Sequence, residues 1–144
     1  MNAAILLAAG QGKRMLKSVP DKILENVAGT TLFARSLLAF RAAAVADIWV
    51  ITFRDEQQRE RLENEVGKVA SDSVQVILEQ GGEERRHSVR NALARIPQET
   101  EILFVHDCAR PMIRPESLIR LLDEAEQRGG AALAHPVRDT LQRV

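Results

Sequence analysis

The sequence of 144 residues has 20 Lys plus Arg and 20 Asp plus Glu, so its formal net charge at pH 7 is zero. A neutral chain exerts no long-range attraction on nucleic acid or on an anionic membrane, and neither is expected as a partner. Hydrophobic residues make up 45% and charged residues 28%, which is typical of one folded domain. The single cysteine, Cys108, excludes an internal disulfide and suits a reducing compartment. Since no segment is long enough to cross a membrane and no basic leader precedes the first apolar run, we expect a cytoplasmic protein.

Hydrophobic periodicity predicts alternating strands and helices along the whole chain. Strands are predicted at Ala3–Ala9, Asp47–Phe53, Val74–Leu78, Glu101–His106 and Ala131–Val137. The helices are predicted after a cap at Thr30 or Thr31, after a cap at Asp55, over Ser88–Ile96, and from Pro115 to Gly129. This order predicts an α/β fold with a doubly wound, mostly parallel, Rossmann-like sheet. Ligands bind at the carboxyl ends of such strands, so the loops at Gly10, Gly81 and Asp107 are expected to converge on one crevice.

The first of these loops combines glycines with cations directly after a buried strand. Gly10 and Gly12 let backbone N–H groups face a concave site that suits phosphate. The spacing is neither the dinucleotide fingerprint nor the P-loop. The nearby cations are Lys13, Arg14, Lys17 and Lys22, a number that favours a polyphosphate ligand. The alternative is an ordinary strand-to-helix turn with solvated surface cations.

The loop after the third predicted strand contains Gly81 and Gly82, followed by four charged residues and His87 before Ser88. Glycine allows the close approach that a flat base requires, so this loop is a candidate for recognising the edge of a pyrimidine ring. Ser88 has two interpretations, because its hydroxyl can either contact such a base or cap the helix that follows.

The fourth predicted strand leads to Asp107, which makes this carboxylate a candidate metal ligand. Mg²⁺ commonly takes one or two carboxylates together with substrate oxygens, so a single Asp is sufficient. Arg110 follows three residues later and is able to hold a phosphate in a two-pronged contact. The alternative is a local ion pair between Asp107 and Arg110.

Zinc and covalent catalysis are not expected. His87, His106 and His135 lack zinc-ligand spacing and accompany one cysteine. Cys108 is near His106, but strand alternation is expected to point the two side chains differently, which argues against a Cys–His nucleophile.

Four blocks together resemble 2-C-methyl-D-erythritol 4-phosphate cytidylyltransferases, enzymes of the non-mevalonate route to isoprenoids. They occur in order along the chain at Leu6–Met15, Gly81–Asn91, His106–Pro111 and Pro136–Thr140. The resemblance implies a magnesium-dependent transfer of CMP from CTP to methylerythritol 4-phosphate, with release of pyrophosphate.

The resemblance also implies roles for individual residues. Arg14 and Lys22 would stabilise charge on the α-phosphate, Asp107 would hold Mg²⁺, and Arg110 would face the second substrate. The residues implied to bind CTP are Ala8, Ala9, Gly10, Gln11, Gly12, Lys13 and Arg14 on the phosphate side, and Gly82, Glu83 and Ser88 around the cytosine. Asp139 and Thr140 would bind substrate, and residues 138–144 would begin an arm that reaches a partner subunit in a homodimer.

The chain departs from the family pattern in three respects. The family usually has Pro-Lys-Gln after the glycine loop, whereas this chain has Pro20, Asp21 and Lys22. We therefore assign the catalytic lysine to Lys22, one residue later, with Lys17 as a competitor. Cys108 replaces a usual alanine. The family also continues well past position 144, so residues 1–144 are expected to form an incomplete CTP-binding domain that binds nucleotide better than it turns over.

Three other functions stay open. Ribitol 5-phosphate cytidylyltransferases share the fold and the nucleotide, but they usually have a bulkier, valine-containing block at Cys108 and Ala109, and sugar-1-phosphate nucleotidyltransferases are more distant. A nucleotide-binding module without turnover is an alternative of a different class.

Overall fold

The computed structural model of the chain describes residues 1–10 and 21–136. Its strands are β1 (Asn2–Leu7), β2 (Asn26–Val27), β3 (Thr30–Thr31), β4 (Ile48–Phe53), β5 (Gln75–Gln80) and β6 (Ile102–Asp107). Four of them form a parallel sheet in the order β5–β4–β1–β6, and β2 pairs with β3 as an antiparallel hairpin. β1 and β4 lie in the middle of the sheet and are apolar almost throughout, as expected for strands covered on both faces.

The helices are α1 (Leu32–Ala43), α2 (Glu56–Val69), α3 (Arg85–Leu93) and α4 (Pro115–Arg128). Three of the predicted terminal signals are confirmed. The Thr31 hydroxyl accepts from the N–H of Ala34, and the Asp55 carboxylate accepts from the N–H of Gln58. Gly129, at φ +80°, ends α4 in the left-handed conformation.

Both faces of the sheet are covered, which confirms the predicted α/β architecture. On one face α1 packs between α2 and α4 over a core that includes Leu6, Phe33 and Trp49. On the other face α3 packs against β1, β4 and β5 over a smaller core that includes Ile5, Val50 and Ala92. Within residues 1–10 and 21–136, no helix is long and apolar enough to cross a bilayer.

The third predicted helix was misplaced by three residues. α3 begins at Arg85 and ends at Leu93, so Ile96 lies beyond its end. Its buried side chains are Ser88 and Ala92, whereas Leu93 is 45% exposed. Small side chains at the buried positions let this helix approach the sheet closely. Apolar periodicity follows larger side chains and does not detect a buried face of this kind.

The predicted strand at Ala131–Val137 is wrong for the part that the structure describes. Residues 131–136 have no strand conformation and are exposed. A strand needs a partner for its backbone groups and a covered face for its side chains. Among the described residues, nothing pairs with the outer side of β6, and an open cavity of about 1050 Å³ lies between β6, α4 and residues 129–133.

Gly67 provides a first test of the fold. It is an exposed position in the interior of α2, and a Cβ added there would meet no atom within 4 Å. Alanine loses less backbone entropy than glycine on entering a helix. We expect Gly67→Ala to raise the free energy of unfolding by about 0.5–1 kcal/mol, measured by urea denaturation. A lower stability would contradict the helical placement of this residue.

Asp55 provides a test that depends on pH. The hydrogen bond from the Arg54 guanidinium, followed by that from the Gln58 N–H, holds the pKa of the Asp55 carboxyl below its ordinary range. A depressed folded-state pKa adds stability above the unfolded pKa of about 3.9, and this contribution is lost as pH falls through the folded value. Asp55→Asn should therefore destabilise the chain at pH 7 but not at pH 2, with Glu56→Gln as the control. Equal effects at both pH values would rule out the charge contribution.

Candidate functional site

The predicted loops lie together at the end of the sheet where the strands β1, β5 and β6 finish. The N–H of Gly81, just after β5, donates to the carbonyl of Phe53 at 2.7 Å. The N–H of Cys108, just after β6, donates to the carbonyl of Leu7 at 3.1 Å. Since each bond continues the strand pairing past the end of the strand, the loops leave the sheet side by side. The predicted convergence is confirmed for the described parts of these loops.

Gly81 lies in direct contact with the end of β1. A Cβ at this position would lie 2.4 Å from the Cβ of Ala9 and 2.9 Å from the Ser88 hydroxyl. No side chain fits there, so glycine is required by the close approach of the two loops. Gly82 is similarly restricted, because a Cβ would lie 2.3 Å from the Cβ of His87.

Ser88 holds the loop of Gly81 and Gly82 from inside the protein. Its hydroxyl accepts from the N–H of Gly82 at 3.0 Å and donates to the carbonyl of Glu84 at 3.4 Å. Only 5% of the residue is exposed. The alternative of Ser88 as the helix cap is wrong, because α3 begins after Glu84. A contact with cytosine stays a prediction for Gly82, Glu83 and Ser88; Gly82 is half-buried and Glu83 is exposed.

Asp107 ends β6 between two arginines. Its carboxylate is 2.9 Å from Nε of Arg85 and 3.5 Å from Nε of Arg110. The pairing with Arg110 was one of the two interpretations of this residue, whereas Arg85 was not selected from the sequence. Arg85 belongs to the first turn of α3, so this ion pair links the segment that follows Gly81 and Gly82 to the end of β6. Both guanidinium groups are mostly exposed and therefore accessible to an anion.

The donor set at Asp107 fits a divalent ion that takes most of its ligands from a bound phosphate and water. Within the described residues no group of three or more His, Cys, Asp or Glu side chains could hold a metal. One carboxylate is nevertheless sufficient for Mg²⁺ when substrate oxygens complete the octahedron. The side chain of Asp107 is 29% exposed, so its oxygens are reachable from the crevice. Binding of Mg²⁺ by this residue stays a prediction.

The end of β1 is held by a buried hydroxyl. Oγ1 of Thr52, which is fully buried, accepts from the N–H of Ala8 at 3.1 Å and from the N–H of Ala9 at 3.4 Å. The backbone at this point is thereby fixed against β4. Lys22 begins a 3₁₀ turn (Lys22–Leu24), and its side chain is exposed. The CTP contacts predicted for Ala8, Ala9 and Gly10 stay predictions.

Several predicted site residues lie outside the described residues. They are Gln11, Gly12, Lys13, Arg14 and Lys17 in the first loop, and Asp139 and Thr140 in the predicted arm at 138–144. Their roles stay predictions from the sequence.

His106 and Cys108 face the core rather than the crevice. His106 contacts Ser36, with 3.2 Å between Nε2 and Oγ, and its ring lies 5.6 Å from that of Phe40. Burial lowers the pKa of His106, against a smaller opposite effect of the Asp107 charge. Cys108 is fully buried in the same core as Phe40. The expectation that alternation separates the two side chains was wrong, since residues two apart share a face of a strand.

Burial provides a different reason why Cys108 is unreactive. Burial, and then the charge of Asp107, raise the pKa of its thiol far above the usual range, and the thiolate is the reactive form. We expect iodoacetamide at pH 8 to leave Cys108 unmodified in the folded chain and to alkylate it rapidly in urea, as followed by intact mass. Rapid alkylation of the folded chain would show that this thiol is accessible.

The comparisons with known proteins identify the family and agree with the fold. The family model for 2-C-methyl-D-erythritol 4-phosphate cytidylyltransferase matches residues 2–144. The enzyme of that name from Shouchella clausii is 42% identical over 97% of the chain and 59% of its own length. The one from Thermotoga neapolitana is 39% identical over 100% of the chain and 63% of its own length. A crystal structure of a 4-diphosphocytidyl-2C-methyl-D-erythritol synthase superposes with a TM-score of 0.75 at 28% identity, covering 99% of this chain and 63% of that one. The chain thus spans about three fifths of the length of these relatives.

Proposed function

Because the chain belongs to the 2-C-methyl-D-erythritol 4-phosphate cytidylyltransferase family, we propose that it is the nucleotide-binding part of an enzyme that transfers CMP from CTP to methylerythritol 4-phosphate. One observation within the structure supports this proposal most directly. The carboxyl ends of the strands bring together Ala9, Gly81 and the Asp107–Arg85 pair, and this class of fold binds its ligands at these strand ends.

The reaction explains the kinds of residue that this edge presents. A phosphate oxygen of the alcohol attacks the α-phosphorus of CTP in line, and pyrophosphate leaves. No covalent intermediate with the protein is required, so the protein positions two anionic reactants and supplies positive charge. Arg85 and Arg110 are suited to offset that charge, because both guanidinium groups face solvent beside Asp107. Asp107 would hold Mg²⁺, which would supply positive charge that reduces the repulsion between the two anionic substrates.

The remaining assignments belong to the same proposal. Arg14 and Lys22 stabilise charge on the α-phosphate, Asp107 holds Mg²⁺, and the backbone around Gly82 and Glu83 recognises the cytosine, with Ser88 shaping that loop from behind. Asp139 and Thr140 contact the second substrate in a homodimer. Localisation in the cytoplasm is likewise a prediction from the sequence. Within this proposal, methylerythritol phosphate is favoured over ribitol phosphate, because it is the substrate in the names of the matched family and relatives.

Calorimetric titration with CTP, in the presence and absence of Mg²⁺, tests the binding part of the proposal. We expect CTP to bind more tightly than ATP, and Mg²⁺ to tighten the binding. Asp107→Asn keeps the side-chain size but removes the charge, so it should abolish most of the effect of Mg²⁺. Equal affinity for CTP and ATP would contradict cytosine recognition.

Pyrophosphate release tests the transfer itself. The chain is mixed with CTP, Mg²⁺ and either methylerythritol 4-phosphate or ribitol 5-phosphate. Faster release with methylerythritol 4-phosphate supports the proposal, and faster release with ribitol 5-phosphate contradicts the substrate assignment. Binding of CTP without any release would favour a nucleotide-binding module for these 144 residues.

A further inference from the structure

A buried amide connects the end of β1 to the turn that carries Lys22. The side chain of Gln58, in the first turn of α2, is 1% exposed. Its Nε2 donates to the carbonyl of Ala8 at 3.2 Å and to the carboxylate of Asp21 at 2.8 Å. Its Oε1 accepts from the N–H of Arg54 at 2.7 Å. Flipping the amide would place the oxygen opposite two acceptors, so the partners determine its orientation.

Asp21 is the second member of this connection. It is 5% exposed, and a buried carboxylate is costly unless it is paired and hydrogen-bonded. Gln58 supplies the hydrogen bond, and the guanidinium of Arg54 supplies a positive charge 3.6 Å away. The backbone of Asp21 is therefore held in place. Lys22 directly follows Asp21, so the position of its Cα is fixed by that of Asp21, while its side chain is exposed to solvent.

Ala8 is held from two directions. Its N–H donates to Thr52, and its carbonyl accepts from Gln58, so both of its backbone groups are bonded to buried side chains. After Ala8 the chain enters the loop that begins at Gly10. Asp21 follows that loop, and Gln58 contacts it as well. Gln58 therefore ties together the base of the glycine loop and the turn of Lys22. This connection was not predicted from the sequence.

We propose that Gln58 is a positioning residue that fixes the distance between Ala8, just before the loop that begins at Gly10, and Lys22. The inference rests on the proposed function, in which the loop holds the triphosphate of CTP and Lys22 acts at its α-phosphate. A charge placed for a transition state acts only from the correct distance, and an error of about 1 Å costs on the order of 100-fold in rate. Weakening the connection should therefore affect turnover more than nucleotide binding.

The test compares Gln58→Met with Gln57→Met. Methionine approximates the size of glutamine but makes none of these hydrogen bonds, and Gln57 is an exposed neighbour on the same helix. For Gln58→Met we expect kcat for pyrophosphate release to fall roughly 10- to 100-fold while KM for CTP changes less than about threefold, since Lys22 acts in the transition state. Gln57→Met should match the unchanged chain.

A second measurement applies whether or not the chain turns over. Acetylation of Lys22 by acetic anhydride is followed by mass spectrometry with and without CTP and Mg²⁺. In the unchanged chain we expect CTP to slow the labelling of Lys22 by about tenfold, and in Gln58→Met we expect the nucleotide to bind with little protection of Lys22. A residue that merely stabilised the fold would weaken binding and protection together. If Gln58→Met does not fold, Asp21→Asn, which removes the charge but keeps the size, is measured in its place.

The outcomes separate the inference from the proposed function. If the unchanged chain binds no CTP, both fail. If CTP binds and protects Lys22 equally in the unchanged chain and in the folded variant, with an unchanged kcat wherever turnover is measurable, the inference alone is overturned. If CTP binds the unchanged chain without protecting Lys22, the inference is overturned as well, while nucleotide binding stands.

Discussion

Replacing Lys22 with alanine is expected to lower the rate of pyrophosphate release from CTP by roughly 100- to 1,000-fold. In an in-line displacement, negative charge increases on the α-phosphate oxygens as the phosphate oxygen of the second substrate attacks. A fixed cation within contact distance stabilises the transition state more than the ground state, so its removal lowers kcat rather than raising KM. The position of Lys22 supports this role, because Asp21 anchors its backbone and its side chain is exposed.

Two further replacements show whether this loss is specific to Lys22. Lys68 is an exposed lysine in the last turn of α2, at the opposite end of that helix from Gln58, so Lys68→Ala should leave the rate unchanged. Lys17→Ala tests the competing assignment of the catalytic lysine. Loss of activity in Lys17→Ala, with normal turnover in Lys22→Ala, would transfer the role to Lys17. Arg14→Ala should show a loss similar to that of Lys22→Ala, because both side chains are assigned to the same phosphate.

Gly81→Ala is expected to destabilise the chain by about 1–3 kcal/mol and to weaken CTP binding at least tenfold. The added methyl group would lie 2.4 Å from the Cβ of Ala9 and 3.2 Å from the carbonyl oxygen of Phe53. Neither contact involves the far end of a flexible side chain, so the backbone of one loop has to move. Because the two loops are proposed to hold the phosphates and the base of one nucleotide, their separation should affect binding as well as stability.

Gly67→Ala is the matched control for this replacement. The same methyl group is added to a glycine that has no neighbour within 4 Å, and the expected effect on stability has the opposite sign. Urea denaturation measures the stability of both variants, and calorimetry measures their affinity for CTP. A Gly81→Ala chain with normal stability and affinity would show that the loops do not need their close contact.

The sequence predicted most of the fold because its strongest signals are local. Continuous apolar runs marked the four strands of the sheet. The caps predicted at Thr30 or Thr31, at Asp55 and at Gly129 marked helix ends to within one residue. The hairpin of β2 and β3 was missed, because each strand has two residues and shows no periodicity. The turn between them has positive φ at Ala28 and Gly29, and the Gly29 N–H donates to the Asn26 side chain, but a glycine and an asparagine near each other do not by themselves predict a hairpin.

The candidate site was predictable wherever it depended on strand ends, and not where it depended on contacts between distant segments. Asp107 and Gly81 were selected because each follows an apolar strand. Arg85 was not, because its contact with Asp107 requires knowledge of where α3 begins. The partners of Gln58 are separated from it by 50 residues for Ala8 and 37 for Asp21, and no sequence pattern relates them.

The outer side of β6 is a further feature that binding measurements have to take into account. No described strand covers this edge, and Val105 there is 45% exposed. A bare edge presents backbone donors and acceptors in an extended row, to which any other extended peptide is able to add. We expect affinities measured at millimolar protein to combine nucleotide binding with self-association through this edge, and affinities measured in dilute samples to report the nucleotide alone.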